Sequence, residues 1–272
     1  EHPPNGQGAT AILMLNILSH FDQAAMDPFG TQRAHIEAEA AKLAYDARNR
    51  FIAETAPRLD HMLAPETAAK LAALIDPNRA MPAASALTEA VHKDTVYITV
   101  VDRDRMAVSL IYSVFWGFGA GLASTKFGIN FQNRGAGFSL TPGHPNEAGG
   151  GKRPMHTIIP AMLAKAGKVN MSFGVMGGAY QPCGHARFVS NMVDFGMDAQ
   201  AANDSPRCFS GAAGMMIETG YSPQVRAELA DMGHDVKISP EPIGGAQSVS
   251  IEDSGILIGA SDPRKDGCAL GY

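Results

Sequence analysis

Cysteine is scarce in this chain: there are 3, Cys183, Cys208 and Cys268. So few thiols exclude a disulfide framework, and without Cys-x-x-Cys spacing they also exclude a metal finger. All of them read as inert core thiols. Long apolar runs are missing too. The best candidate, Ala11–Leu18, contains Asn16 and is far shorter than a membrane span, so no membrane partner is expected. Positive charge is in short supply, with 22 Lys+Arg against 27 Asp+Glu and a formal net charge of −5. That balance gives no electrostatic reason to bind nucleic acid. Familiar motifs are absent as well: there is no GxSxG elbow and no GxxxxGK[ST] loop. Gly117-Phe-Gly-Ala-Gly121 follows a hairpin pattern instead of opening a βαβ unit, which speaks against a dinucleotide site. The 9 histidines show neither HExxH nor HxH spacing, so no metal site is expected. The first residues carry no basic n-region and no initiator Met. The expectation is that a leader has been removed or that the gene starts upstream. The compartment, periplasmic or secreted against cytoplasmic, stays open.

What is present falls into two parts. Residues 1–80 read as helical. Thr10–Leu18 is apolar on most faces, as in a helix buried by a larger body. Thr31 offers an N-cap for a long helix from Ala34 to about Thr55, with Ile36, Ala40, Leu43, Ala44, Ala47 and Phe51 at 3- and 4-residue steps. Pro65 opens another helix, and Met81–Asp94 reads as an exposed linker. At Thr95 the period changes. Thr95–Asp102 and Ala107–Phe115 are β-branched and aromatic runs around the turn Asp102–Arg105, the pattern of a hairpin. Gly128–Asn133 suggests a third short strand, and Ile158–Leu163 and Val169–Val175 two more around Lys165–Lys168. Helices follow near 185–195, 198–204 and 223–232, and short strands near 235–238, 248–252 and 256–260 close the chain. Strand pairs followed by helices point to an α+β fold.

Two features carry chemistry. Thr95 stands between a linker and a strand. A Thr hydroxyl is a weak nucleophile unless a base lies beside it, and the α-amine of an N-terminal Thr is such a base. A cut between Asp94 and Thr95 would create that amine; otherwise Thr95 is a strand former. The second feature is Gly174-Val-Met-Gly-Gly-Ala179, where Gly177 and Gly178 after a buried strand let backbone N–H groups face a site, as in an oxyanion hole. A tight strand-to-helix turn is its plainer reading.

Around these residues the chain resembles the γ-glutamyltransferase (γ-glutamyltranspeptidase, glutathione hydrolase) family of N-terminal-nucleophile hydrolases. The resemblance rests on Pro3-Pro-Asn-Gly-Gln-Gly8, Met14–Leu18, Glu39–Arg48, Thr95–Asp102, Lys152-Arg-Pro154, Ile159-Pro160, Gly177-Gly178, Asp194-Phe-Gly196, Ala202–Arg207 and Gly259–Arg264. It covers nearly the whole chain in the family's order. It implies a four-layer αββα sandwich and a precursor that cuts itself before a Thr. Residues 1–94 are then the end of a large subunit, and residues 95–272 a small catalytic subunit beginning at the nucleophile. By this resemblance Thr95 attacks an amide carbonyl, Ser113 assists it, and the N–H groups at Gly177 and Gly178 hold the oxyanion. Water or an amine releases the acyl group, and no cofactor is needed. The implied partners are a small amide or γ-glutamyl substrate and a missing N-terminal segment or second chain, with a homo-oligomer possible.

The departures are as informative. Where glutathione-cleaving members carry a Thr and, two residues on, an Asn, this chain has Ser113 and Phe115. Their acidic anchor for the glutamyl amine falls at Gly137, and their Ser-Ser pair at His156-Thr157. A buried site without partners for an ammonium and a carboxylate disfavours a γ-glutamyl group. The substrate-binding candidates are therefore Phe115, Arg134, His156 and Thr157, with Arg134 offering a carboxylate contact or a surface salt bridge. The pattern looks most like the γ-glutamyltransferase-like branch, which includes acylases and small-amide hydrolases. An inactive fragment with a binding or structural role is the alternative of another class.

Overall fold

The computed structural model describes residues 4–56, 58–82, 95–211 and 214–272. Asp94 and most of the expected linker thus lie outside the described residues. Along the chain come α1 (Gly8–Leu18), α2 (Thr31–Phe51), α3 (Leu59–Leu63), α4 (Pro65–Ala72), β1 (Thr95–Val101), β2 (Ala107–Ser113), β3 (Pro160–Lys165) and β4 (Lys168–Met176). Then follow α5 (Gln181–Val193), α6 (Ala199–Asp204), β5 (Cys208–Gly211), β6 (Gly214–Ile217), α7 (Pro223–Asp231), β7 (Val236–Ile238), β8 (Gly245–Ile251) and β9 (Leu257–Ser261).

Among the described residues three layers of the expected four-layer αββα sandwich are present, one helical and two β, and no second helical layer covers the outer β layer. The central one is the antiparallel sheet β3-β4-β8-β9. β4 is buried from Met171 to Met176, because both of its faces are covered. Helices cover one face: Leu13, Met14 and Ile17 of α1, Ile36, Ala40 and Ala44 of α2 and Ala186 of α5 join Val175 and Ala246 in the largest core cluster. Truncating Leu13 to Ala there should cost about 2–5 kcal/mol. The hairpin β1-β2 covers the other face, in full register from Thr95↔Ser113 to Val101↔Ala107. Its close approach depends on Gly174, since a Cβ there would lie 2.3 Å from the Tyr97 ring. Hydroxyl contacts tie the two β layers: Thr99 Oγ1 donates to Ser172 Oγ at 2.7 Å, and Ser109 Oγ donates to the Phe173 carbonyl at 3.3 Å. A smaller sheet, β5-β6-β7, lies beside α2 and α7.

The outer face of the hairpin is open. Strand alternation puts Val96 opposite Tyr112, Ile98 opposite Leu110 and Val100 opposite Val108 on that face, and all of them are exposed. α2 shows the reverse. Its apolar positions from Ile36 to Ala47 are buried as the 3–4 spacing predicts and Phe51 is half-buried, but Arg33, Glu37, Glu39, Lys42 and Arg48 on its other faces are buried too. Burial of these charges is tolerated because Arg33 Nε pairs with Glu37 at 2.9 Å and Lys42 with Glu39 at 2.7 Å, while Arg48 donates to the Gln7 and Asn49 side-chain oxygens.

Several sequence expectations are corrected here. Thr31 is the first helical residue, not the cap; Gly30 is the cap, and the Thr31 hydroxyl bonds Glu228 instead. α2 stops at Phe51, since Ile52 is already extended. Gly128–Asn133 forms no strand and contributes only the isolated bridge Ala123↔Asn130. Cys183 and Cys208 are buried thiols, but Cys268 is exposed.

Candidate active site

Thr95 opens β1 and faces the central sheet, and its Oγ1 donates to Ser113 Oγ at 3.1 Å. Register fixes this pair, because Thr95 and Ser113 are directly opposite in the hairpin. Ser113 Oγ also accepts from the Phe115 N–H at 2.9 Å. Phe115 is held at φ +78°, a region that bulky residues rarely occupy, and this turns the chain sharply at the end of β2.

The glycine turn follows β4. Gly177 has φ +127° and Gly178 φ +58°, conformations that favour glycine. A Cβ on Gly177 would lie 3.0 Å from Gly244 Cα. Among the described residues neither N–H of the pair is hydrogen-bonded to a protein acceptor. Gly177 and Thr95 both line a cavity of about 220 Å³, walled by Met176, Tyr180, Phe209, Met216, Pro242 and Ile243, with Glu241 and Lys265 among its charged residues. A hydroxyl and an unengaged backbone N–H, those of Thr95 and Gly177, border one mostly apolar cavity, and these are the kinds of group that acyl transfer through a tetrahedral intermediate uses.

The remaining expected residues lie behind the turn and hold one another. The Arg134 guanidinium stacks 4.5 Å above the Phe115 ring and donates from Nη1 to Thr157 Oγ1 at 2.6 Å. Arg134, Phe115 and Thr157 are 4%, 5% and 4% exposed, so Arg134 is not a surface group. Trp116, beside Phe115, is exposed. His156 is half-buried; burial first, then the Arg134 and Arg153 charges, push its pKa down to about 4, so it is neutral at pH 7.

Sequence reasoning missed Gln7, which closes the ring. Its Nε2 donates to the Thr157 carbonyl at 2.7 Å and to the Gly178 carbonyl at 2.9 Å, and its Oε1 accepts from Arg48 Nη1 at 3.0 Å. Gln7 is fully buried and thus pins the glycine turn to the Thr157 segment and to α2. Tyr45 adds a second tie by donating its hydroxyl to the Ala179 carbonyl. The Pro-Pro-Asn-Gly-Gln-Gly motif was the available signal, but nothing in its local pattern says that Gln7 reaches so far.

His35, Glu39 and His234 form a buried group with the geometry to approach one ion. Each has protein partners instead: His35 contacts His234 at 2.8 Å and the Asp76 carbonyl at 2.8 Å, and Glu39 takes Lys42 and the Met81 N–H. No helix among the described residues is long and apolar enough to cross a membrane.

Comparison with known proteins fits this geometry. The model of the gamma-glutamyltranspeptidase family matches residues 1–272. The chain is 33% identical to the glutathione hydrolase-like YwrD proenzyme of Bacillus subtilis, over 100% of the chain and 53% of that protein. It is 34% identical to the oxamate amidohydrolase proenzyme of Klebsiella pneumoniae, over 99% of the chain and 52% of that protein. Cephalosporin acylase from Bacillus halodurans superposes with a TM-score of 0.88 at 33% identity, over 99% of the chain and 51% of that structure. The α+β sandwich of the N-terminal-nucleophile hydrolases is therefore the fold. The chain spans about half the length of the curated relatives it matches.

Proposed function

The chain belongs to the gamma-glutamyltranspeptidase family, and from that premise we propose that it carries the nucleophile of a self-processing amide hydrolase or acyltransferase. The observation that carries this reading is Thr95 Oγ1, 3.1 Å from Ser113 Oγ, on a cavity shared with Gly177. Cleavage between Asp94 and Thr95 separates residues 1–94 from a catalytic piece that begins at Thr95 and contains residues 95–272. The freed α-amine, with an ordinary pKa of roughly 8, takes the Thr95 hydroxyl proton. The oxygen attacks an amide carbonyl, and the N–H groups of Gly177 and Gly178 receive the negative charge. The α-ammonium returns that proton to the amide nitrogen, and collapse expels the neutral amine and leaves an acyl ester on Thr95. Water or a second amine then releases the acyl group.

The acyl group favoured is not γ-glutamyl. Phe115 fills the position of a polar anchor, and Arg134 is engaged by that ring and by Thr157. The open space beside Thr95 has mostly apolar walls. Apolar acyl amides or small amides fit it better, and the similarity to an oxamate amidohydrolase and a cephalosporin acylase supports this. The exposed apolar face of the hairpin is the docking surface for a segment or partner chain corresponding to the relatives' other half.

Incubating the protein with a panel of aliphatic amides and γ-glutamyl-p-nitroanilide tests this. Mass spectrometry should find an acyl adduct on Thr95 with the former and slow turnover of the latter. Efficient γ-glutamyl hydrolysis would overturn the substrate reading, and an adduct on another residue would overturn the mechanism.

A further inference from the structure

A second, smaller cavity lies beneath the glycine turn, between α2, α5 and β5. Its volume is about 10 Å³, room for one guest the size of a water molecule. Arg187, Tyr180 and Ser210 line it together with Glu37, Cys183 and Cys208. These three are 4%, 4% and 6% exposed. Yet among the described residues Arg187 Nε and Nη2, Tyr180 Oη and Ser210 Oγ have no hydrogen-bond partner. Buried polar groups are ordinarily satisfied, so such a cluster around one cavity marks something bound there.

Charge and hydrogen-bond inventory identify the class of guest. Arg33 and Arg187 share the single carboxylate of Glu37, which leaves one buried positive charge in excess within this trio. The next pair along α2, Lys42 with Glu39, is balanced. Every unsatisfied group lining the cavity is also a donor: two N–H groups of a guanidinium and two hydroxyls. A water molecule accepts about two hydrogen bonds and must place two protons of its own, which would leave hydroxyl hydrogens unpaired. A monatomic anion accepts from all four groups and neutralises the excess charge. We propose that this cavity is a binding site for one halide-sized monovalent anion, held by Arg187, Tyr180 and Ser210. Tyr180 also walls the Thr95 cavity and ends the short 3-10 turn that begins at Gly178, so the bound anion braces the turn from below.

Two measurements on the purified full-length protein test this. Crystals grown in sodium bromide should show an anomalous peak in contact with Arg187 Nε and Ser210 Oγ. In solution, replacing gluconate with chloride at constant ionic strength should raise the melting temperature by about 3 °C or more once chloride is tenfold above its dissociation constant. Arg187→Met removes the charge but risks the fold, so Ser210→Ala, which deletes one donor, is the second variant. It should fold and lose at least half of the chloride-dependent shift. A water-sized peak without anomalous signal, or an equal chloride shift in Ser210→Ala and the unmodified protein, would overturn the proposal.

Discussion

The two sides of the Gly177-Gly178 turn are built in opposite ways. On one side lies a cavity of about 220 Å³ bordered by Thr95 and apolar walls. On the other, Gln7, Phe115, Arg134 and Thr157 close on each other, and each is at most 5% exposed. The open side keeps unused hydrogen-bonding capacity, which is what a reacting carbonyl needs. The closed side spends its polar groups on one another and so holds the turn still. Placing the donors before reaction is where most electrostatic catalysis originates, so the closed side serves the open one.

Substitutions on each side should separate these roles. Thr95→Ala has the largest expected effect: roughly 10⁴-fold or greater loss of amide turnover with little change in melting temperature. Retained turnover would place the nucleophile elsewhere. Gly177→Ala comes next. The new Cβ meets Gly244, and φ +127° suits no other residue, so the turn must move. Losing one oxyanion donor should lower kcat by about 10²–10³-fold while KM changes less.

Across the turn the losses should appear first as stability. Gln7→Ala strips the Thr157 and Gly178 carbonyls of a buried donor and Arg48 of an acceptor. About 2–4 kcal/mol should be lost in urea unfolding, with a kcat decrease in the molecules that remain folded. Arg134→Met keeps the apolar stem on Phe115 and removes the bond to Thr157, which should cost about 1–2 kcal/mol and leave KM within about twofold. A tenfold rise in KM at unchanged stability would move the substrate to the closed side.

The smallest effect is a pH dependence at His156. Its folded pKa, about 4, lies below the ordinary 6.5. The neutral ring therefore favours folding above about pH 6.5, and this contribution is lost as pH falls towards 4, because the unfolded chain takes up the proton first. The urea midpoint should drop between pH 7 and pH 5, and His156→Gln should remove part of the drop. An identical drop in the variant would assign the effect to other groups.

Much of this architecture was legible because its signals are local. The hairpin, expected over 95–102 and 107–115, forms over Thr95–Val101 and Ala107–Ser113. α7, expected over 223–232, ends within a residue of that. Pairing Thr95 with Ser113 needs only the register of a tight turn. β5 and β6 were missed because Cys208–Gly211 and Gly214–Ile217 are too short for alternation to register. Gln7 and the Arg187 cavity were illegible for another reason. Their partners are distant in sequence: Gly178 follows Gln7 by 171 residues, and Glu37 precedes Arg187 by 150. A polar residue buried by such contacts resembles a surface residue until the chain is folded. The positions of Phe115, Arg134 and His156 came through family resemblance, and the structure adds that the first two stack.

Everything on the open side depends on Thr95 becoming an N-terminus. Intact mass spectrometry of the purified protein, with N-terminal sequencing, reads this directly. The expected result is a fragment whose N-terminus is Thr95, absent from Thr95→Ala. A single uncut chain that turns over amides at full rate would contradict the account.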